Sequence, residues 1–286
     1  MQESLMVELK DVFVPGGMPG YTYMERKEGN DSDAKTLEEK LSSAAQRLRK
    51  FISVAGPTKS GKTLLVRKVM PKTKAIWIEG GHIAAAKDFW QELSSKLEIP
   101  TAVKKTKSIG EETSFETDDA ASFKPAGMGV EIKNRSIDKN NNNVAETNEF
   151  PLAATQTIVD ELLESNKVLV IDDFHYIPAD AQTAIIRGLK QSVFDGQTVV
   201  LILIPHRMHQ AAKAEMDVDG RTHTIKIPDW SAKELFSIAD TGFRTLQVRA
   251  YATTIDSLVK ESFASPHLMQ DFARNYVKII WLTKQI

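Results

Sequence analysis

Apolar residues along this chain alternate between two patterns, and the alternation predicts the architecture. Short runs with little polar interruption occur at residues 51–55 (FISVA), 75–78 (AIWI), 168–171 (VLVI), 199–204 (VVLILI) and, more mixed, 222–227 (THTIKI). Each gives out at or beside a Gly, Asp or Pro. Such runs predict strands buried on both faces. Between them, apolar residues recur at helical spacing over 37–50, 62–69, 86–97, 152–165 and 180–193. Strands alternating with helices predict an α/β fold, a mainly parallel five-stranded sheet with helices on both sides. Right-handed crossovers then bring the loops after the strands to one sheet edge, where ligands bind.

The pattern changes at both ends and once in the middle. Residues 1–36 are rich in Gly, Pro and acids and predict an arm with little helix. Residues 101–148 carry few apolar side chains and four consecutive Asn at 140–143. That composition predicts a loop inserted into the 37–229 core, mobile at least in part, with room for a short strand pair near 127–133. After Ser231 the strand pattern stops. Leu235, Ile238 and Ala239 share one helical face behind a serine cap, and Pro266 suits a first helical position after Ser265. Residues 230–286 therefore predict a small C-terminal helical unit.

Composition narrows the classes. The chain has 286 residues with 42% hydrophobic side chains, enough for a core. It has no cysteine, which excludes a disulfide scaffold, a zinc ribbon and a thiol nucleophile. A net charge of −1 provides no general field for nucleic acid. No apolar run approaches the ~18 residues of a membrane helix. The first residues lack the basic start and apolar block of a signal peptide, so a cytoplasmic setting is expected.

Two motifs carry chemistry. Gly56-Pro57-Thr58-Lys59-Ser60-Gly61-Lys62-Thr63, followed by Leu64, fits G-x-x-x-x-G-K-[ST] between a predicted strand and a predicted helix. Glycines let backbone N–H groups curl around phosphate oxygens, and the helix start adds its positive end. Lys62 would reach the β- and γ-phosphates and Thr63 would ligate Mg²⁺. The run at 168–171 delivers Asp172 and Asp173 at its carboxyl end. Asp172 would hold Mg²⁺, and Asp173 would orient or deprotonate the water that attacks the γ-phosphate.

Together the motifs resemble the additional-strand P-loop NTPases, the division that contains the AAA+ and STAND ATPases. The resemblance spans roughly residues 21–275. It implies a three-layer α/β/α sandwich with a helical lid, ATP and Mg²⁺ as ligands, and ATPase activity. In origin-recognition-like and STAND members an aromatic-x-x-Arg segment lies on the adenine base; Tyr23 and Arg26 match it here. Arg207, after the fourth strand, matches an arginine that often follows the sensor strand in STAND proteins, although the usual Thr or Ser is missing and His206 stands beside it. Arg221, before the fifth strand, resembles an arginine finger reaching a neighbouring subunit, which implies a homo-oligomer. Lids of AAA+ proteins carry Gly-x-x-Arg where this chain has Ser265-Pro266-His267. That departure favours the STAND-like or origin-recognition-like groups.

The same resemblance implies a switch acting on a separately encoded effector, as in anti-phage conflict systems. A DNA-associated loader or transposition regulator, and a scaffold without turnover, remain the other two readings. No Asn/Thr-Lys-x-Asp segment for guanine is present. His175, Tyr176 and His267 read more simply as packing or helix-start residues. Trp230 and Pro228 read as a turn into the lid, and the basic clusters at 47–50 and 104–107 as solvated faces.

Overall fold

Each apolar run forms a strand: β1 Phe51–Ala55, β2 Ala75–Glu79, β3 Val168–Asp172, β4 Val199–Leu203 and β5 Thr222–Lys226. The computed structural model describes residues 7–27, 34–47, 49–99, 152–204 and 222–283, all within one compact unit. The expected strand pair near 127–133 and the 101–148 insert lie outside the described residues, as do His206, Arg207 and Arg221. The strands pair in the order β2-β3-β4-β1-β5, and every pairing is parallel. β4 lies between β1 and β3. Adjacent strands sit about 4.8 Å apart, so the carboxyl ends of β1 and β3 are held about 10 Å from each other.

Alternate strand residues feed two cores. On one face Ile76, Ile78, Leu169, Ile171, Val199 and Leu201 pack beneath helices α4 Ala86–Lys96, α5 Leu152–Glu164 and α6 Ala179–Asp195. On the other, Ile52, Val54, Val170, Val200 and Ile202 meet α2 Leu37–Arg47 and α3 Lys62–Val69. Burial on both sides accounts for strands with no polar alternation. The edge strand β5 departs from this: its Ile225 is buried while His223, Thr224 and Lys226 are exposed.

The lid consists of α7 Ala232–Thr245, α8 Ala252–Glu261 and α9 Pro266–Thr283, with a core of its own around Leu235, Phe243, Met269 and Val277. Ser231 caps α7 as expected: its hydroxyl accepts from the Glu234 amide, and Glu234 accepts in return from the Ser231 amide at 2.7 Å. Among its described residues the arm contains one short helix, α1 Leu9–Val12. Val12 and Phe13 are fully buried in the lid core, Phe13 edge-on to Phe243 at 5.5 Å. The arm is therefore part of the lid's packing, which its Gly- and Pro-rich composition did not suggest.

Candidate functional site

β1 ends in the loop Gly56–Gly61, and α3 begins at Lys62. Gly61 is left-handed at φ +94°, a conformation glycine reaches without cost. Gly56 also has no room for a side chain, since a Cβ there would lie 2.9 Å from Ile227 Cβ. No side chain caps α3 at Gly61, so the first-turn amides keep their donor capacity for an anion. Ser60 Oγ is buried and has no hydrogen-bond partner. An uncapped helix start with a buried orphan hydroxyl fits a phosphate group.

Lys62 is buried, and its Nζ donates to the carbonyls of Gly56 at 3.0 Å and Pro57 at 2.6 Å. Burial lowers its pKa, and the charges of Asp173 and Asp172 oppose that shift. The ammonium thus rests on neutral acceptors of its own loop, facing two carboxylates.

Thr63 Oγ1 donates to Asp172 Oδ1 at 3.1 Å. Asp172 is 4% exposed, and its pKa is pushed up to about 6. Burial is the main cause, with Glu79 and Asp173 adding to it and the Thr63 hydrogen bond opposing it. A hydroxyl and a buried carboxylate sharing one hydrogen bond are a donor set suited to Mg²⁺. Asp173 follows in the left-handed region at φ +52°, its amide bonded to Asp172 Oδ1 at 3.0 Å. This turn carries its side chain out of the strand line, where it is 41% exposed with Oδ1 4.0 Å from His175 Nδ1. Gly80 lets the neighbouring β2 turn approach, because a Cβ there would lie 2.6 Å from the Asp173 carbonyl oxygen.

These groups line one cleft of about 440 Å³, together with Thr58, Lys59, Leu64 and, from the lid, His267 and Gln270. A smaller apolar slot of about 60 Å³ adjoins it; Ser60, Gly61 and Leu64 line both. Tyr23, Arg26, Trp230 and Ile238 form further parts of the slot. Tyr23 donates to Glu38 and lies 5.2 Å from Lys68 Nζ. Burial, then the Glu38 hydrogen bond, raises the pKa of its hydroxyl, so it remains a neutral donor. Arg26 is buried and committed: Nε bonds Glu234 at 2.9 Å and Nη2 bonds the Pro228 and Asp229 carbonyls at 3.0 and 2.8 Å.

Three residues of this site carried no signal in the sequence. Glu79 ends β2 in register with Asp172. Gln270 accepts from the Val14 amide at 2.7 Å and joins arm to lid at the cleft. Trp230 donates its indole N–H to the Ser60 carbonyl at 2.9 Å. No local motif marks any of them; only the strand register and the lid packing bring them in.

A strand inserted between β1 and β3 is the sheet order that the resemblance to additional-strand P-loop NTPases leads one to expect. Among solved structures the chain resembles the RuvB Holliday junction branch migration motor of Thermotoga maritima, with 12% identity, TM-score 0.50, and coverage of 87% of this chain and 63% of that one. It also resembles Cdc6p from Pyrobaculum aerophilum, with 13% identity, TM-score 0.53, and coverage of 92% and 63%. A Walker-type ATPase of Pyrococcus abyssi matches with 14% identity, TM-score 0.54, and coverage of 85% and 66%. The chain thus spans slightly under two thirds of the length of the structures it resembles. No family model and no curated protein matches the sequence. Among the described residues no helix is long and apolar enough to cross a membrane.

Proposed function

We propose that this chain binds ATP with Mg²⁺ and hydrolyses its β–γ phosphoanhydride bond, using the closure and release of the lid as a switch. The observation that carries the reading is the Thr63–Asp172 hydrogen bond beside an uncapped, glycine-based helix start. The triphosphate tail would lie along Gly56, Pro57, Thr58, Lys59, Ser60 and Gly61. Lys62 would exchange two neutral carbonyl acceptors for phosphate oxygens, a stronger, charge-assisted pairing. Thr63 and Asp172 would hold Mg²⁺, which supplies charge neutralisation on the phosphates when bound. Asp173, turned into the cleft, would take the proton of the attacking water or orient it. The base would enter the apolar slot between Tyr23 and Leu64, and the missing guanine segment favours adenine.

Lid residues Gln270 and His267 line the same cleft as Lys62 and Asp173, so a triphosphate would touch both units at once. Its hydrolysis would remove that tie. Assembly into a homo-oligomer, with Arg221 and Arg207 completing a neighbour's or its own site, and control of an effector in trans, including one in anti-phage conflict, belong to this reading. The deciding experiment is calorimetric titration of ATP and ADP with and without Mg²⁺, coupled to phosphate release. No binding at millimolar nucleotide would sink the proposal. Binding with no release would leave the scaffold reading in its place. Salt-dependent DNA binding would favour the loader reading.

A further inference from the structure

Trp230 lies in the segment between β5 and α7, distant in sequence from the phosphate loop. Its indole N–H nevertheless donates to the Ser60 carbonyl at 2.9 Å. The ring is itself fixed. The Arg26 guanidinium carbon lies 4.1 Å from the ring centroid, and Arg26 is anchored in turn by Glu234 and by the carbonyls of Pro228 and Asp229. This chain of contacts passes from loop to indole to arginine to the first turn of the lid.

The consequence follows from peptide geometry. In a planar trans peptide the C=O and the N–H point in opposite directions. Holding the Ser60 carbonyl toward the indole therefore directs the Gly61 N–H away from it; Trp230 lines the slot and not the wide cleft, whereas Gly61 and Lys62 line the cleft. Such an orientation needs a holder. Glycine populates both signs of φ with similar ease, so the Ser60–Gly61 peptide could turn over at little cost. Gly61 is at φ +94°, and that turn would take its amide out of the cleft. A preorganised donor binds an anion without the expense of ordering it at the moment of binding.

We infer that Trp230 is a positioning residue for the phosphate site: its indole N–H fixes the Ser60–Gly61 peptide so that the Gly61 amide faces the phosphate tail. The inference rests on the phosphate-loop reading above and adds a residue that reading does not use. Because Arg26, itself held by Glu234, covers this ring, the orientation of this amide is tied to the placement of the lid.

The test compares ADP with adenosine by calorimetry on the full chain, in the unaltered protein and in Trp230→Phe. Phenylalanine keeps a flat ring for Arg26 and a wall for the apolar slot but loses the donor. The expected result is a roughly tenfold loss of ADP affinity, the scale of one lost orienting hydrogen bond, with a distinctly smaller loss for adenosine, which meets the ring only as part of the slot wall. Equal losses for both ligands would show the ring to be only a wall and overturn the inference, as would no loss for either. Failure of the phosphate-loop reading looks different: the unaltered protein would then bind ADP no better than adenosine. A second measurement leaves Trp230 in place. With ¹⁵N-labelled tryptophan and Trp77, Trp90 and Trp281 identified by their own Phe substitutions, the Trp230 indole proton should exchange more slowly with solvent when ADP is added and not when adenosine is added. Exchange indifferent to ADP would overturn the inference even if the Phe variant does not fold.

Discussion

Thr63 and Asp172, 109 residues apart, meet in a 3.1 Å hydrogen bond although β1, which leads to Thr63, and β3, which carries Asp172, are not neighbours. β4 separates β1 from β3, and the gap is closed from above by the first turn of α3. The bond places a hydroxyl against a carboxylate that burial has pushed up to about 6. Its titration has a definite sign. The folded state holds this proton more tightly than the unfolded chain, whose Asp has an ordinary value near 3.9. Stability from this group is therefore fully present below about pH 4 and is lost as pH rises through about 6. Asp172→Asn should remove that loss and stabilise the ligand-free protein at pH 7–8 by about 3 kcal/mol. Denaturant unfolding at pH 5 and pH 8 measures it. An Asn variant no more stable at pH 8 than the parent would contradict the burial assigned to Asp172.

Lys62→Ala removes a buried ammonium whose acceptors are two loop carbonyls. Water can replace those contacts at the cleft, so folding stability without ligand should change by less than about 1 kcal/mol. Phosphate-dependent affinity should fall by a hundredfold or more, the scale of lost charge-assisted contacts. Titration with ADP separates the two effects. Retained tight binding would show that the loop does not hold the phosphates.

Much of the fold was legible because both faces of the sheet are buried. That burial forbids polar alternation, so the runs at 51–55 and 168–171 mark β1 and β3 to within a residue. The strand-to-helix loop at 56–61 was legible because its fixed positions answer local needs, such as the positive φ of Gly61. Strand order was not, since placing β4 between β3 and β1 depends on crossovers that no local pattern encodes. Nor was the docking of the arm: Phe13 enters the lid core beside Phe243, a contact across most of the chain. Arg26 shows the limit from the other side. The aromatic-x-x-Arg pattern points to the base, while Glu234, which no motif in the sequence singles out, takes up its Nε. Trp230 reads as a turn residue until its indole is found on Ser60.

Asp173 offers a clean test of turnover because of its backbone. At φ +52° an alanine would add about 1 kcal/mol of strain, whereas asparagine tolerates the left-handed region. Asp173→Asn should therefore keep the fold and the affinity for ATP while lowering phosphate release by about 10²- to 10⁴-fold, the range of a lost general base. Single-turnover assays on prebound ATP measure it. Unchanged release would remove Asp173 from the reaction and direct attention to Glu79, which lies opposite Asp172 across β2 and β3.

The Arg26–Glu234 pair predicts how the lid is held. Arg26 is only 6% exposed, and Glu234 is about a quarter exposed. Burial pushes the Glu234 carboxyl up, but the hydrogen bonds from Arg26 and Ser231 outweigh it and leave its pKa lowered. The sign is opposite to that of Asp172: this group's contribution is present above its ordinary range and is lost as pH falls through its depressed value. Arg26→Ala would strand Glu234 and two carbonyls, and would free the Trp230 ring from its cover. Truncating one partner of a buried pair costs about 3–5 kcal/mol, and the partial exposure of Glu234 places the expectation at the lower end. Arg26→Ala with Glu234→Gln should cost less than the sum of the two single changes, since the glutamine carries no charge to leave unpaired. Chemical denaturation of the four proteins gives the coupling directly; strict additivity would mean that the two side chains do not hold arm and lid together.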